Sequence, residues 1–299
     1  MSRPATILIF GANGQVGFEL RRSLQGQGPL ATFDRSTCDV SDPSQIKAAI
    51  ASSRPRVIVN ASAYTAVDRA ESEPALADAV NAKAPEIMAL EAAKIDALFV
   101  HYSTDYVFDG TKALPYEETD APNPQSAYGL SKLHGEELIA RTKAEHVILR
   151  SSWVVGAHGV NFLKTILRLA KERDVLRIVA DQFGAPTSAA LLADVTERIV
   201  SRHLNGDGSF GGIYHVTNSG STSWHGFATH IVQWAKAHNV ALKASPESVM
   251  PISTEEYPLP AVRPENSRLD TRLARETFDL TLPATSRACL CQAMQVRVP

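Results

Sequence analysis

Two residues spaced for proton chemistry stand near the middle of the chain: Tyr128 and Lys132, in Tyr128-Gly-Leu-Ser-Lys132. On a helix, an i, i+4 spacing puts both side chains on one face. A free tyrosine titrates near pH ~10 and is a poor acid or base at neutrality. An ammonium beside it stabilises the phenolate and brings the group toward a useful range. A second element leaves the end of an apolar run, Tyr102-Ser-Thr104-Asp105-Tyr-Val-Phe108. Thr104 there is placed to donate to, or relay with, a carbonyl oxygen. Taken alone, the Tyr/Lys pair reads equally well as a surface pair, and Thr104 as a strand-end threonine.

The N-terminus supplies the context. Ala5 to Phe10 is a short continuous apolar run, the pattern of a strand buried on both faces. Gly11-Ala-Asn-Gly14-Gln15-Val16-Gly17 follows at once and opens a helical pattern that carries Val16, Leu20 and Leu24 on one face. Strand, glycine loop and helix in that order bind a dinucleotide. The glycines permit the turn, bare backbone N–H groups approach a pyrophosphate, and the helix N-terminus adds partial positive charge. An acid at the end of the second strand is the next expected part. Asp34, after Leu30–Phe33, sits where it accepts hydrogen bonds from ribose hydroxyls, which favours NADH. Arg35 suits a 2′-phosphate, and the pair reads as dual use with a lean to NADPH. Asp39-Val40 flanks the adenine, and strand three ends in the small residues Asn60-Ala-Ser-Ala63.

The elements that must position these groups alternate. Strands at Leu30–Phe33, Val57–Val59, Ala97–Val100 and His146–Leu149 are separated by helices, one opened by Asp42-Pro43 and one running from Pro74 to Lys94. This is a doubly wound, mostly parallel α/β sheet of Rossmann type, with ligands expected at the strand carboxyl ends. Thr104 to Ser126 is an aperiodic loop, long enough to read as functional. Residues 1–150 form the cofactor domain, with roughly 185–217 packing back onto it. Residues 151–184 and 218–299 form a smaller α/β substrate-binding cap. Within it, Pro251 to Asn266 reads as irregular, and short helices end the chain.

Composition narrows the class. Thirty Lys+Arg against 32 Asp+Glu give a formal net charge of −2, which argues against a dedicated nucleic-acid binder. Cys38, Cys289 and Cys291 have neither metal-like spacing nor a disulfide framework, as in a reducing compartment. No signal or membrane-length apolar run is present, so a cytoplasmic protein is expected. His225, His230 and His238 share no metal-binding face and read as structural.

Together these elements resemble the extended short-chain dehydrogenase/reductase superfamily. Further segments narrow the likeness: Val59 to Glu71, Ser103 to Phe108, Asp181 to Thr187 and Arg263 to Leu269 are similar to the dTDP-4-dehydrorhamnose reductase family. That resemblance implies NAD(P)H-dependent reduction of the 4-keto group of dTDP-6-deoxy-L-lyxo-4-hexulose to dTDP-L-rhamnose, a precursor of cell-surface polysaccharide. It implies that Tyr128 protonates the C4 alkoxide, that Lys132 tunes Tyr128 and holds the nicotinamide ribose, and that Thr104 hydrogen-bonds the reacting oxygen. Asp105 and Trp153 then contact the sugar nucleotide. Gly14, Gln15 and Val16 meet the pyrophosphate, and Asp34, Asp39, Val40, Ala63, Tyr64, Thr65 and Tyr102 line the rest of the cofactor cleft. Arg263, in a proline-held loop, pairs either with the substrate diphosphate or with a surface carboxylate. Tyr64 stands where related sequences often have histidine. Some members join dimers through glutamate-bound Mg²⁺. Glu19 matches one ligand but Ala190 replaces another, so no metal site is assigned and a homodimer without metal stays open. The rivals are reduction or epimerisation of another nucleotide-linked 4-keto-6-deoxy sugar, and a cofactor-sensing regulatory subunit without turnover.

Overall fold

The computed structural model describes residues 6–284. The chain runs β1 (Ile7–Phe10), α1 (Gln15–Ser23), β2 (Leu30–Phe33), α2 (Pro43–Ser53), β3 (Val57–Asn60), α3 (Val67–Ala70), α4 (Pro74–Asp78), α5 (Ala84–Lys94) and β4 (Leu98–Thr104). It continues through α6 (Ala127–Ala140), β5 (His146–Ser151), β6 (Val154–Val155), α7 (Phe162–Glu172), β7 (Leu176–Val179), β8 (Phe183–Gly184), β9 (Thr187–Ser188) and α8 (Ala189–Asn205). It closes with β10 (Gly212–His215), β11 (Thr222–Ser223), α9 (Trp224–Ala237), β12 (Val249–Ile252) and α10 (Arg272–Phe278).

The continuous apolar runs become a six-stranded sheet, ordered β10-β5-β4-β3-β1-β2 and parallel throughout. Period-two alternation sorts its side chains into two cores. Ile7, Ile9, Val57, Val59, Val100 and Leu149 pack with Leu20 of α1 and with Leu192, Val195 and Ile199 of α8. Leu8, Phe10, Ile58, Phe99 and Ile148 pack on the other face, with Ile46 of α2, Met88 of α5 and Ile139 of α6. Strand order reverses between β1 and β3, and the carboxyl ends of that pair open the crevice in which doubly wound sheets bind ligands.

The helix expected from Pro74 to Lys94 is interrupted. Ala79–Lys83 winds as a π-helical turn between α4 and α5. Pro85 has no N–H for the regular ladder, and such turns gather at functional positions. Pro251 and Ile252, expected in an irregular stretch, instead belong to β12, which pairs in parallel with β7. That pair packs with α7 and α9 around a separate core of Leu163, Ile166, Phe227 and Ile231. Ala274 and Phe278 of α10 pack into the sheet-side core with α8 and β10. Cys289 and Cys291 lie outside the described residues. No helix among the described residues is long and apolar enough to cross a membrane.

Candidate active site

The glycine turn leaves β1 with Gly11 at φ +77°, in left-handed territory. A Cβ on Gly17 would lie 2.1 Å from the Gly11 carbonyl oxygen, so the first turn of α1 closes over this loop only with glycine there. A Cβ on Gly14 would meet only the Gly11 and Ala61 carbonyl oxygens, at 3.3 and 4.0 Å. Gly14 lines a cavity of about 410 Å³ together with Gly11, Asn13, Asp34, Arg35, Cys38, Asp39, Val40, Ser41 and Ala61 to Tyr64. The first-turn N–H groups of α1 have no partner within the helix. Bare backbone, a helix N-terminus and Arg35 beside Asp34 fit the diphosphate and adenosine ribose of a nicotinamide dinucleotide.

Gly11, Gly14, Asp34, Arg35, Asp39, Val40, Ala63 and Tyr64 meet in this cavity, whereas Gln15, Val16, Gly17, Thr65, Tyr102, Tyr128 and Lys132 are not on its wall. Gln15 turns its side chain away: Nε2 donates to the Val154 carbonyl at 3.4 Å and Oε1 accepts from Asn161 at 2.9 Å, tying the loop to the start of α7. Val16 packs on the sheet core. Tyr102 pairs its hydroxyl with Thr196 of α8 at 2.5 Å. Asp34 is engaged within its own turn, accepting from the Ser36 N–H at 2.8 Å, the Ser36 hydroxyl at 2.6 Å and the Asn13 amide. The bonds from Ser36, with lesser ones from Thr37, hold its carboxyl below its ordinary range. Tyr64 donates to Glu73 at 2.6 Å. Its backbone is held at both ends by a residue that sequence reasoning missed. Asn81, in the π turn, accepts from Tyr64 N at 2.9 Å and donates to Tyr64 O at 3.0 Å. It also donates to Ser131 of α6 at 3.0 Å.

At the carboxyl end of β4, Thr104 begins a short 3₁₀ turn and donates to Asp105 Oδ1 at 3.0 Å. Tyr128 and Lys132 sit in the first two turns of α6, which Ser126 caps by accepting from Gly129 N. Tyr128 is half-buried and bonded to Thr104, and desolvation by the surrounding protein outweighs that bond, pushing the phenol up to about 12. The phenol's shift is set by desolvation, Thr104 and Asp105, with no contribution from Lys132. Lys132, 1% exposed, turns its Nζ to the Tyr102 carbonyl at 2.6 Å and His101 Nε2 at 3.1 Å. Burial brings the amine down to about 8. A phenol that keeps its proton is the form that can protonate an alkoxide. Burial likewise lifts Asp105 to about 6, and its Oδ2 has no protein partner.

Beyond Tyr128 the Tyr106 ring packs edge-on at 5.5 Å and leads into a second cavity, of about 580 Å³. Phe162, Gln182, Trp224, Tyr257, Val262 and Arg263 line it. Arg263 reaches it in the grip of Asp68, which it meets through two guanidinium nitrogens at 2.9 and 2.8 Å. The carboxylate of α3 thus joins the sheet side to the loop that carries Arg263. Trp153 is not on the wall. It stacks behind Trp224 at 3.5 Å, with φ +48°, over Gly184, where a Cβ would lie 2.6 Å from the indole. Trp224 was missed because nothing in its local sequence marks it, and Tyr106 was given no role although it lies in the Ser103–Phe108 segment that carries Thr104 and Asp105. Glu19 pairs with Arg22, Ala190 is buried, and no group of three or more His, Cys, Asp or Glu side chains among the described residues could hold a metal.

A parallel sheet with a glycine turn at its switch point, and a Tyr-x-x-x-Lys helix at its carboxyl edge, define an extended short-chain dehydrogenase/reductase. Such an enzyme moves hydride between a nicotinamide and a carbonyl. The RmlD substrate-binding domain model matches residues 5–295. The dTDP-4-dehydrorhamnose reductase of Burkholderia thailandensis is 48% identical over 93% of this chain and 94% of its own length. That of Salmonella typhimurium is 46% identical over 93% of each. A crystal structure of the Bacillus anthracis reductase in complex with NADP superposes with a TM-score of 0.89 at 35% identity, covering 97% of this chain and 99% of that one. The chain belongs to the dTDP-4-dehydrorhamnose reductase family.

Proposed function

We propose that this enzyme reduces the 4-keto group of dTDP-6-deoxy-L-lyxo-4-hexulose to give dTDP-L-rhamnose, with NADPH as the preferred reductant. The observation that carries the reading is the proton-bearing Tyr128, bonded to Thr104 at the strand edge and packed against Tyr106, whose ring lines the Arg263 cavity. The nicotinamide, when bound, supplies the hydride. The residues do the rest. Thr104 and Tyr128 bind the C4 oxygen, and Tyr128 gives it a proton as charge develops. Lys132 binds the nicotinamide ribose. Arg263 holds the substrate diphosphate, and the Trp224 face covers the nucleotide end. Arg35 favours NADPH because it lies beside Asp34 on the cleft wall, where a 2′-phosphate would sit. Residues 151–184 and 218–271 serve as the substrate cap.

The test is turnover. Purified protein given NADPH and dTDP-6-deoxy-L-lyxo-4-hexulose should oxidise the cofactor, and Tyr128→Phe should lose about 10²–10⁴-fold in rate. No oxidation by the wild type would refute the function. Unchanged turnover in the variant would refute the role of Tyr128.

A further inference from the structure

Gln182 comes just before the short strand β8 and is 5% exposed, yet it stands on the wall of the cap cavity. β8 pairs antiparallel with β11, Gly184 opposite Thr222 and Phe183 opposite Ser223. Carried one position further, that register sets Gln182 opposite Trp224, whose indole lines the same cavity. The reaction scheme gives this glutamine nothing to do.

Its amide is held one way round. Desolvation at Asp181 is outweighed by bonds from the Thr254 hydroxyl and N–H, so the group stays a carboxylate, below its ordinary range. A carboxylate only accepts. The Thr254 hydroxyl therefore donates to Asp181 Oδ1 at 2.6 Å, while the Thr254 N–H donates to Oδ2 at 2.8 Å. With its one proton spent there, the hydroxyl can only accept from Gln182, whose Nε2 lies 3.1 Å away. The NH₂ end of the amide is thus fixed at Thr254, and the carbonyl oxygen is the other end. Among the described residues no donor reaches that oxygen, and it is not one of the sealed, unpartnered polar atoms. It opens on the cavity as an acceptor.

We propose that Gln182, locked by Thr254 and Asp181, selects the nucleobase of the sugar nucleotide: it accepts the N3–H of a thymine or uracil and turns cytosine away. The inference rests on the dTDP-sugar reading and names what in that ligand is read. Thymine and uracil carry a proton at N3, between two carbonyls. Cytosine carries a lone pair there. A glutamine free to turn serves either base by swapping its ends, whereas a locked one sets its oxygen against the cytosine lone pair. An unmatched polar pair of this kind is how a site rejects a ligand of nearly the same shape. The walls suit a flat ring. Phe162 and Trp224 meet at 4.5 Å between ring centroids, and Tyr257 and Leu259 add apolar cover.

Nucleotide binding to the NADP⁺-loaded protein, measured by calorimetry, tests this without turnover. dTDP and dUDP should bind within a few-fold of each other, and dCDP about 10–100-fold more weakly. Equal affinity for dTDP and dCDP would overturn the proposal and leave the reductase reading standing. Failure of all three to bind would overturn both. Gln182→Met should weaken dTDP about tenfold and leave dCDP where it was, closing the gap from one side. Thr254→Val frees the amide to turn, and should close the gap from the other side by tightening dCDP while dTDP loses little. NADPH affinity reports that each variant is folded. A gap that survives Gln182→Met would give the reading of the base to another group, and one that survives Thr254→Val would refute the lock.

Discussion

The cofactor crevice and the cap cavity are built from different materials. The crevice is mostly backbone: a left-handed Gly11, a helix N-terminus at Gln15, and strand ends at Asp34 and Ala61. The cap cavity is mostly side chains drawn from far-separated segments: Tyr106 after β4, Phe162 of α7, Trp224 of α9 and Arg263 near the end. A backbone site tolerates changes in its side chains but not in its geometry. A side-chain site does the reverse.

That contrast is open to direct attack. Gly17→Ala should do the most damage, because the added Cβ meets backbone, not a movable side chain, 2.1 Å away. We expect at least about 3 kcal/mol of lost stability by thermal denaturation, with NADPH binding abolished. A variant that binds NADPH normally would show that the turn is not geometry-limited. Arg263→Leu should raise the KM for the sugar nucleotide about 10–100-fold while leaving the KM for NADPH unchanged. An equal rise in both would mean that the Asp68–Arg263 pair holds the whole cleft together and is not a substrate contact.

Two smaller effects sharpen the boundary between the regions. Asp105 is lifted from 3.8 to about 6 by burial, so the folded protein holds a proton that the unfolded chain releases. Its contribution to stability is present below pH 3.8 and is lost as pH rises through about 6. Asp105→Asn should therefore raise the melting temperature more at pH 8 than at pH 5. An equal shift at both would place the carboxylate in water. Last, Arg35→Ala should cost several-fold in kcat/KM with NADPH and almost nothing with NADH, on the order of one exposed ion pair. A loss with both cofactors would remove the 2′-phosphate contact from the account.

The same division explains what was legible in the sequence. Strands such as Ile7–Phe10 and Val57–Asn60 carry their burial in consecutive residues, and the glycine loop carries its function in its own spacing. Local pattern sufficed for both. Asn60 and His101 become partners only through the β3–β4 register, 41 residues apart, so their link to Lys132 was invisible. Asp68 and Arg263 meet across 195 residues. The proton balance of Tyr128 also escaped, because the spacing to Lys132 shows proximity along a helix and not where the amine turns. Pro85 and the π turn that places Asn81 were readable only as one long helix.

The central claim is that Tyr128 is the proton donor for reduction of a dTDP-linked 4-keto sugar by a nicotinamide. The most direct measurement pairs NADPH binding with turnover of dTDP-6-deoxy-L-lyxo-4-hexulose in wild type and Tyr128→Phe. The account predicts equal cofactor affinity, rapid oxidation by the wild type, and about a 10²–10⁴-fold slower rate in the variant. Equal rates in the two proteins, or no oxidation by the wild type, would contradict it.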